Sequence, residues 1–242
     1  MSSRQEEKER RKQERIERER AEAAAAQRKR LVQIVAGVVV AAAVAAGIAV
    51  AATGGGGDKG PDTNRAEDAI PIPARSITDL EDAAKAAGCV LVHPKIEGSN
   101  HVPDEVQYKT NPPTSGDHVP PGEQASDGNY AGVESPAKEK YVHSLQHGRV
   151  IIHYKPGLPE RRIKQLETLW QESTDTDFGL ESKDGGFTLL MQNNTNMPHD
   201  VAATAWGHLL TCKSFNDKAF DAIRAFRQRY ILKGPEVVTQ PE

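Results

Sequence analysis

Cysteine is nearly missing from this sequence: there are two, Cys89 and Cys212. No paired Cys-x-x-Cys occurs, which excludes a zinc ribbon. Other chemical signatures are missing as well. There is no Gly-x-Ser-x-Gly elbow, no phosphate-binding glycine loop and no His-Glu-x-x-His, so the standard catalytic sets have no support. Basic charge is short where a nucleic-acid partner would need it. The whole chain carries −3, yet residues before Leu31 hold more bases than acids, so the remainder is acidic. An acidic surface repels phosphate, and nucleic acid is set aside as a partner.

What is present begins with a layout. At 242 residues the chain suits one ordinary domain with flanking segments. Residues 1–30 are Arg, Lys, Glu, Gln and Ala with ion pairs at helical spacing, such as Glu14 with Arg18, and no apolar stripe. They read as a solvated cytoplasmic tail, helical or disordered, beside anionic lipid heads. Residues 31–52 are apolar except for Gln33. About 22 residues suffice for a helix to cross the ~30 Å hydrocarbon core. Arg28, Lys29 and Arg30 abut this run, and glycines at 54–57 follow it, which places the N-terminus in the cytoplasm. Ala49-Val-Ala51 resembles a signal-peptidase site, but the preceding charged region is too long for a cleaved signal. The expected layout is therefore a tail (1–30), a transmembrane helix (31–52), a linker (53–74), an extracytoplasmic domain (75–236) and a disordered acidic tail (237–242). The lipid bilayer is the first expected partner, and the cell membrane the expected location. A further partner, protein or small ligand, has no signature.

Within the domain the elements alternate in type. Thr78 is placed to cap a helix running to residue 85, with Gly88 as its stop. Residues 89–93 read as a strand. Residues 110–136 form a long Pro-, Gly- and Asp-rich loop, of the kind that often carries function. A short helix over 141–147 ends at Gly148 and leads into a strand over 149–154. Pro159 opens an amphipathic helix with Ile163, Leu166, Leu169 and Trp170 on one face. Strands follow at 187–191 and 201–206, the latter resuming after Gly207. A last helix over 217–232 turns Phe220, Ile223, Ala225, Phe226 and Tyr230 inward. The order predicts an α+β fold: an N-terminal transmembrane helix, then one compact mixed α/β domain.

Both cysteines lie beyond the membrane run, where a disulfide between them is permitted. It would add roughly 4–5 kcal/mol in the chain-entropy model. Two separate buried thiols are the alternative; the bridge is the expected state. The histidines carry the remaining chemistry. His143 and His147 stand four apart, so on a helix both imidazoles share one face and can share a metal. His118 ends a turn-rich loop that can bring a third ligand, and His153 or Met191 a further one. Methionine is scarce; Met191, Met197 and His199 fall close in sequence, and thioether with imidazole suits copper. The expected ligand set is His118, His143, His147 and Met191, for copper or zinc. The same residues also fit plain roles, as ring–backbone hydrogen bonds in turns and as a methionine filling the core.

Four motifs in order carry a resemblance: Asn111-Pro-Pro-Thr-Ser-Gly-Asp-His118, Val142-His-Ser-Leu-Gln-His-Gly148, Thr204-Ala-Trp-Gly207 and Gly234-Pro-Glu236. Over about residues 74–236 the chain resembles the domain of unknown function 3105 family. Cys89 and Cys212 stand where that family tends to carry cysteines. The resemblance implies a basic tail, one membrane helix and an extracytoplasmic domain, and says almost nothing about activity. The family usually has His-Asn-Leu-Glu-His-Gly, which contains the inverted zinc-protease pattern His-x-x-Glu-His. Here Gln146 replaces the glutamate, and an amide cannot serve as the base for zinc-bound water. The leading reading is a membrane-anchored binding or interaction module without catalysis. A histidine metal site is the second reading, and a metal-dependent hydrolase the third.

Overall fold

The computed structural model describes residues 70–240 and residue 242. The charged tail, the expected membrane helix over 31–52 and the linker as far as residue 69 lie outside the described residues. Among the described residues, no helix is long and apolar enough to cross a membrane.

The described chain is a compact mixed α/β domain with four helices: α1 (Leu80–Ala87), α2 (Lys138–Gln146), α3 (Glu160–Gln171) and α4 (Ala219–Tyr230). Its central sheet has six strands: β1 (Cys89–Val92), β2 (Gly128–Asn129), β3 (Val150–Tyr154), β6 (Thr188–Gln192), β7 (Val201–Ala205) and β8 (His208–Cys212), in the order β1-β8-β7-β3-β6-β2. A separate two-stranded ribbon joins β4 (Thr174–Asp175) to β5 (Glu181–Ser182). β3 and β2 both run parallel to β6, while the pairs from β1 through β8 and β7 to β3 are antiparallel. Parallel neighbours need a crossover rather than a tight turn, and α3 lies in the one between β3 and β6.

β3 sits at the centre and is buried throughout. Successive strand residues face opposite sides, and the two sides hold different cores. Val150, Ile152 and Tyr154 join residues of α1, α3 and α4 in the main cluster. Ile151 joins Leu189, Met191 and the α2 residues Tyr141, Val142 and Leu145 in the other. Three helices therefore cover one face and α2 the opposite one, so α2 holds its histidines apart from the main core.

Local structure follows the sequence with small shifts. The cap of α1 is Asp79 rather than Thr78: its carboxylate accepts from Asp82 N–H at 3.0 Å, satisfying an orphan amide of the first turn. Gly88, at φ 69°, ends the helix in the left-handed conformation. On α3, Leu166, Leu169 and Trp170 are buried as the periodicity predicts, and Trp170 Nε1–H donates to the Thr188 carbonyl at 2.9 Å. On α4, Phe220, Ile223, Ala225, Phe226 and Tyr230 are buried. Cys89 and Cys212 are direct partners in the β1–β8 register and form a disulfide, which ties the edge strand to the sheet.

Two terminal expectations change. Residues 70–74 fall in the expected linker, yet the Ile70 and Pro71 carbonyls accept from Thr168 and Gln165 of α3 at 3.1 and 3.2 Å, and Ile72 packs on the core. The expected disordered tail is likewise held. Val238 N–H donates to the His147 carbonyl at 3.2 Å. Arg149 donates to the Val238 and Gln240 carbonyls at 2.6 and 2.5 Å. Composition misleads here because the partners of the tail are backbone carbonyls and a buried guanidinium, neither visible in a short acidic stretch.

Candidate metal centre

The long loop before β2 is ordered by its own polar side chains. The Glu97 carboxylate accepts from Lys109 N–H and from the backbone and hydroxyl of Thr110, at 2.6 to 3.0 Å. Asn111 is locked to Thr195 through both ends of its amide. Gly207 N–H, in the β7–β8 turn, donates to the Thr114 carbonyl at 2.9 Å. These ties deliver His118 to a fully buried position. A short parallel bridge joins His118 to His101: Val102 N–H donates to the His118 carbonyl at 2.8 Å, and His118 N–H to the Asn100 carbonyl at 3.0 Å.

His143 reaches the same place from α2. The rings of His101, His118 and His143 lie with centroids 5.0, 5.1 and 4.7 Å apart. Each offers a ring nitrogen, and these nitrogens are all within 4.8 Å of one another. Three imidazoles on a zinc ion at ~2.0–2.1 Å have their nitrogens about 3.3 Å apart in tetrahedral geometry. The observed nitrogens lie within 4.8 Å, a wider set than that one. His147 faces His143, Nε2 to Nε2 at 3.1 Å, as the spacing of four predicts. Its Nδ1 contacts the carboxylate of Glu242. Trp206 stands edge-on to His118, centroids 6.1 Å apart.

The electrostatics favour neutral rings. Burial, then the adjoining rings of His147, His118 and His101, pushes His143 down to about 4. Burial also lowers His118, against the opposing effect of the Gly116 carbonyl. Neutral imidazole is the form that binds metal. Two ring nitrogens, Nε2 of His118 and Nδ1 of His143, are buried without a hydrogen-bond partner, a costly state for a polar atom that an ion would relieve.

Of the expected ligands, His118 and His143 come together with a third histidine, and His147 adjoins His143 alone. Met191 is fully buried among Ile151, Leu189 and the apolar face of α2, where its thioether fills the core. Met197 belongs to a different cluster, with Ala202 and Leu209, so the close sequence spacing of the methionines does not become a site. His153 is enclosed on the inner face of β3, its Nε2 3.1 Å from Thr204 Oγ1. His101 was missed. It lies in an irregular loop with no period, and its pairing with His118 is a tertiary contact that no local pattern encodes.

Gln146 is buried, and its amide donates to the Glu236 carboxylate at 3.2 Å. The Gly234-Pro-Glu236 motif thus packs directly on the end of α2. A Cβ at Gly234 would fall 2.1 Å from the Gln146 carbonyl oxygen and 2.5 Å from Gly148 N. Gly148, at φ 88°, would bring a Cβ within 2.7 Å of Leu232 Cα. Both clashes are with backbone and cannot be relieved by a rotamer. Gly234→Ala is expected to destabilise the fold by about 2–3 kcal/mol, measured as a lowered urea midpoint; an unchanged midpoint would show that the motif is not packed this way.

The model of a family described as "Protein of unknown function (DUF3105)" matches residues 101–242. No curated protein and no solved structure matches the chain. The matched stretch runs from His101 through His118, His143 and His147 to Glu242, and with more than half of its length inside that match the chain belongs to the DUF3105 family.

Proposed function

We propose that the domain is a membrane-anchored, extracytoplasmic metal-binding module, with His101, His118 and His143 as its ligands. One observation carries the reading: three histidines from separate parts of the chain converge with their ring nitrogens within 4.8 Å. All-imidazole sets suit zinc and copper, and three protein ligands leave a position for water or a transferred ligand. The apolar run over 31–52 and its basic flank Arg28-Lys-Arg30 support the anchor and its orientation. Hydrolysis is disfavoured, because position 146 holds a non-titrating amide already bonded to Glu236.

The test is metal content. The chain is loaded separately with zinc and copper, dialysed, and measured by elemental analysis. One ion per chain is expected, falling to background in His118→Ala and in His143→Ala. Sub-stoichiometric metal in the unaltered chain, or full retention in either variant, would overturn the assignment.

A further inference from the structure

We infer that His147 is not a ligand of this centre but the middle of a Glu242–His147–His143 relay that sets which nitrogen His143 presents to the ion. The inference rests on the metal-binding reading for its affinity consequence and on hydrogen-bond geometry for its substance.

The proton positions follow by elimination. An ionised carboxylate only accepts hydrogen bonds, so the contact between Glu242 and His147 requires Nδ1 of His147 to carry the proton. Arg149 Nε lies 3.3 Å from the second oxygen of the same carboxylate. In the neutral ring, with Nδ1 protonated, the lone pair is on Nε2. That nitrogen is 3.1 Å from Nε2 of His143, and two lone pairs do not face each other at that distance. Nε2 of His143 must therefore carry the proton and donate it. What remains on His143 is Nδ1, which is the buried nitrogen without a hydrogen-bond partner. The same logic applies to His118. Its Nδ1 lies 2.8 Å from the Gly116 carbonyl and donates to it, leaving the partnerless Nε2 as the lone pair.

The structure thus assigns His118 Nε2 and His143 Nδ1 as the two buried metal-facing atoms. Each is fixed in its tautomer by an acceptor on its far side, the usual role of groups one layer outside a metal. The opposite tautomer of His143 would put the proton on Nδ1 and remove the lone pair from the site. His147 is a positioning residue whose acceptor atom holds the proton of His143 on Nε2. Its place beside His143 alone, away from the three-ring cluster, fits this role better than ligation.

Two measurements test the assignment on the full-length chain in detergent. Long-range proton–nitrogen spectra of the metal-free, histidine-labelled protein above neutral pH should show His118 and His147 protonated on Nδ1 and His143 on Nε2. A His143 ring protonated on Nδ1 overturns the relay whether or not metal binds. With cobalt as the probe, His147→Leu should keep one ion per chain and the unaltered visible spectrum while binding about 10–100-fold more weakly. His147→Gln, whose amide oxygen can accept from His143, should recover most of that loss. His101→Ala, by contrast, should change the spectrum. If His147→Leu abolishes binding or alters the spectrum as His101→Ala does, His147 is a ligand and this inference fails while the metal site stands. If the unaltered chain binds no cobalt, zinc or copper, the metal reading fails and only the tautomer result speaks for the relay.

Discussion

Replacing Cys89 and Cys212 together by alanine lowers the unfolding free energy by roughly 3–5 kcal/mol, a large fraction of what an ordinary domain possesses. The bridge spans 123 residues of sequence, so it removes much of the freedom of the unfolded chain. It also acts on a vulnerable place. Among the described residues β1 is an edge strand paired with β8 alone, and it leads directly out of α1. Val90 and Val92 point outward and are largely exposed, so half of this short strand contributes no core burial. Without the covalent tie, β1 and α1 have the packing of Leu80, Ala83, Ala84 and Ala87 to hold them. Urea unfolding of the double variant beside the unaltered chain measures the loss. A change below about 1 kcal/mol would mean that the bridge is ornamental to stability. Two single variants should each lose a similar amount and gain one buried thiol that labels once the chain is unfolded.

Where the sequence was readable, the signal was local. The 3.6-residue spacing of Leu166, Leu169 and Trp170, and of Phe220, Ile223 and Phe226, marks α3 and α4 because each helix buries a single face. The pairing of His143 with His147 was readable for the same reason: spacing within one helix is geometry known in advance. The bond between Cys89 and Cys212 needed no geometry, since two cysteines in one compartment have one intramolecular choice. What failed was tertiary. His101 meets His118 through a bridge between two irregular segments, whose positions depend on Glu97, Asn111 and Gly207 contacts made across the fold. Met191 offered the right atom for copper, but strand alternation on β6 turned it into the α2 core. The last residues looked disordered because their stability resides in Arg149, a residue of the β3 lead-in that nothing marks as their partner.

Acidification should cost the domain stability well before its carboxylates titrate, and His153 is the clearest cause. Its ring is fully enclosed on β3, packed near Tyr141 with centroids 5.5 Å apart, and burial pushes it down from 6.5 to about 3. No carboxylate offsets that burial. Between those two values the unfolded chain takes up a proton that the folded chain refuses. The stabilisation is therefore complete above pH 6.5 and drains away as pH falls toward 3, at about 1.4 kcal/mol per pH unit. From this residue alone the loss reaches roughly 2 kcal/mol by pH 5 and more than 3 by pH 4. His143 and His208 are lowered in the same direction, principally by burial, and steepen the same window. The measurement is the urea midpoint from pH 7 to pH 4 for the unaltered chain and for His153→Leu. The variant leaves Thr204 Oγ1 without its ring partner, so its stability at pH 7 is lower; the informative quantity is the slope. A slope reduced by about one proton's worth in the variant identifies His153 as an acid-sensitive element of the core. An unchanged slope would place that sensitivity elsewhere, in the other histidines that burial lowers, His118, His143 and His208.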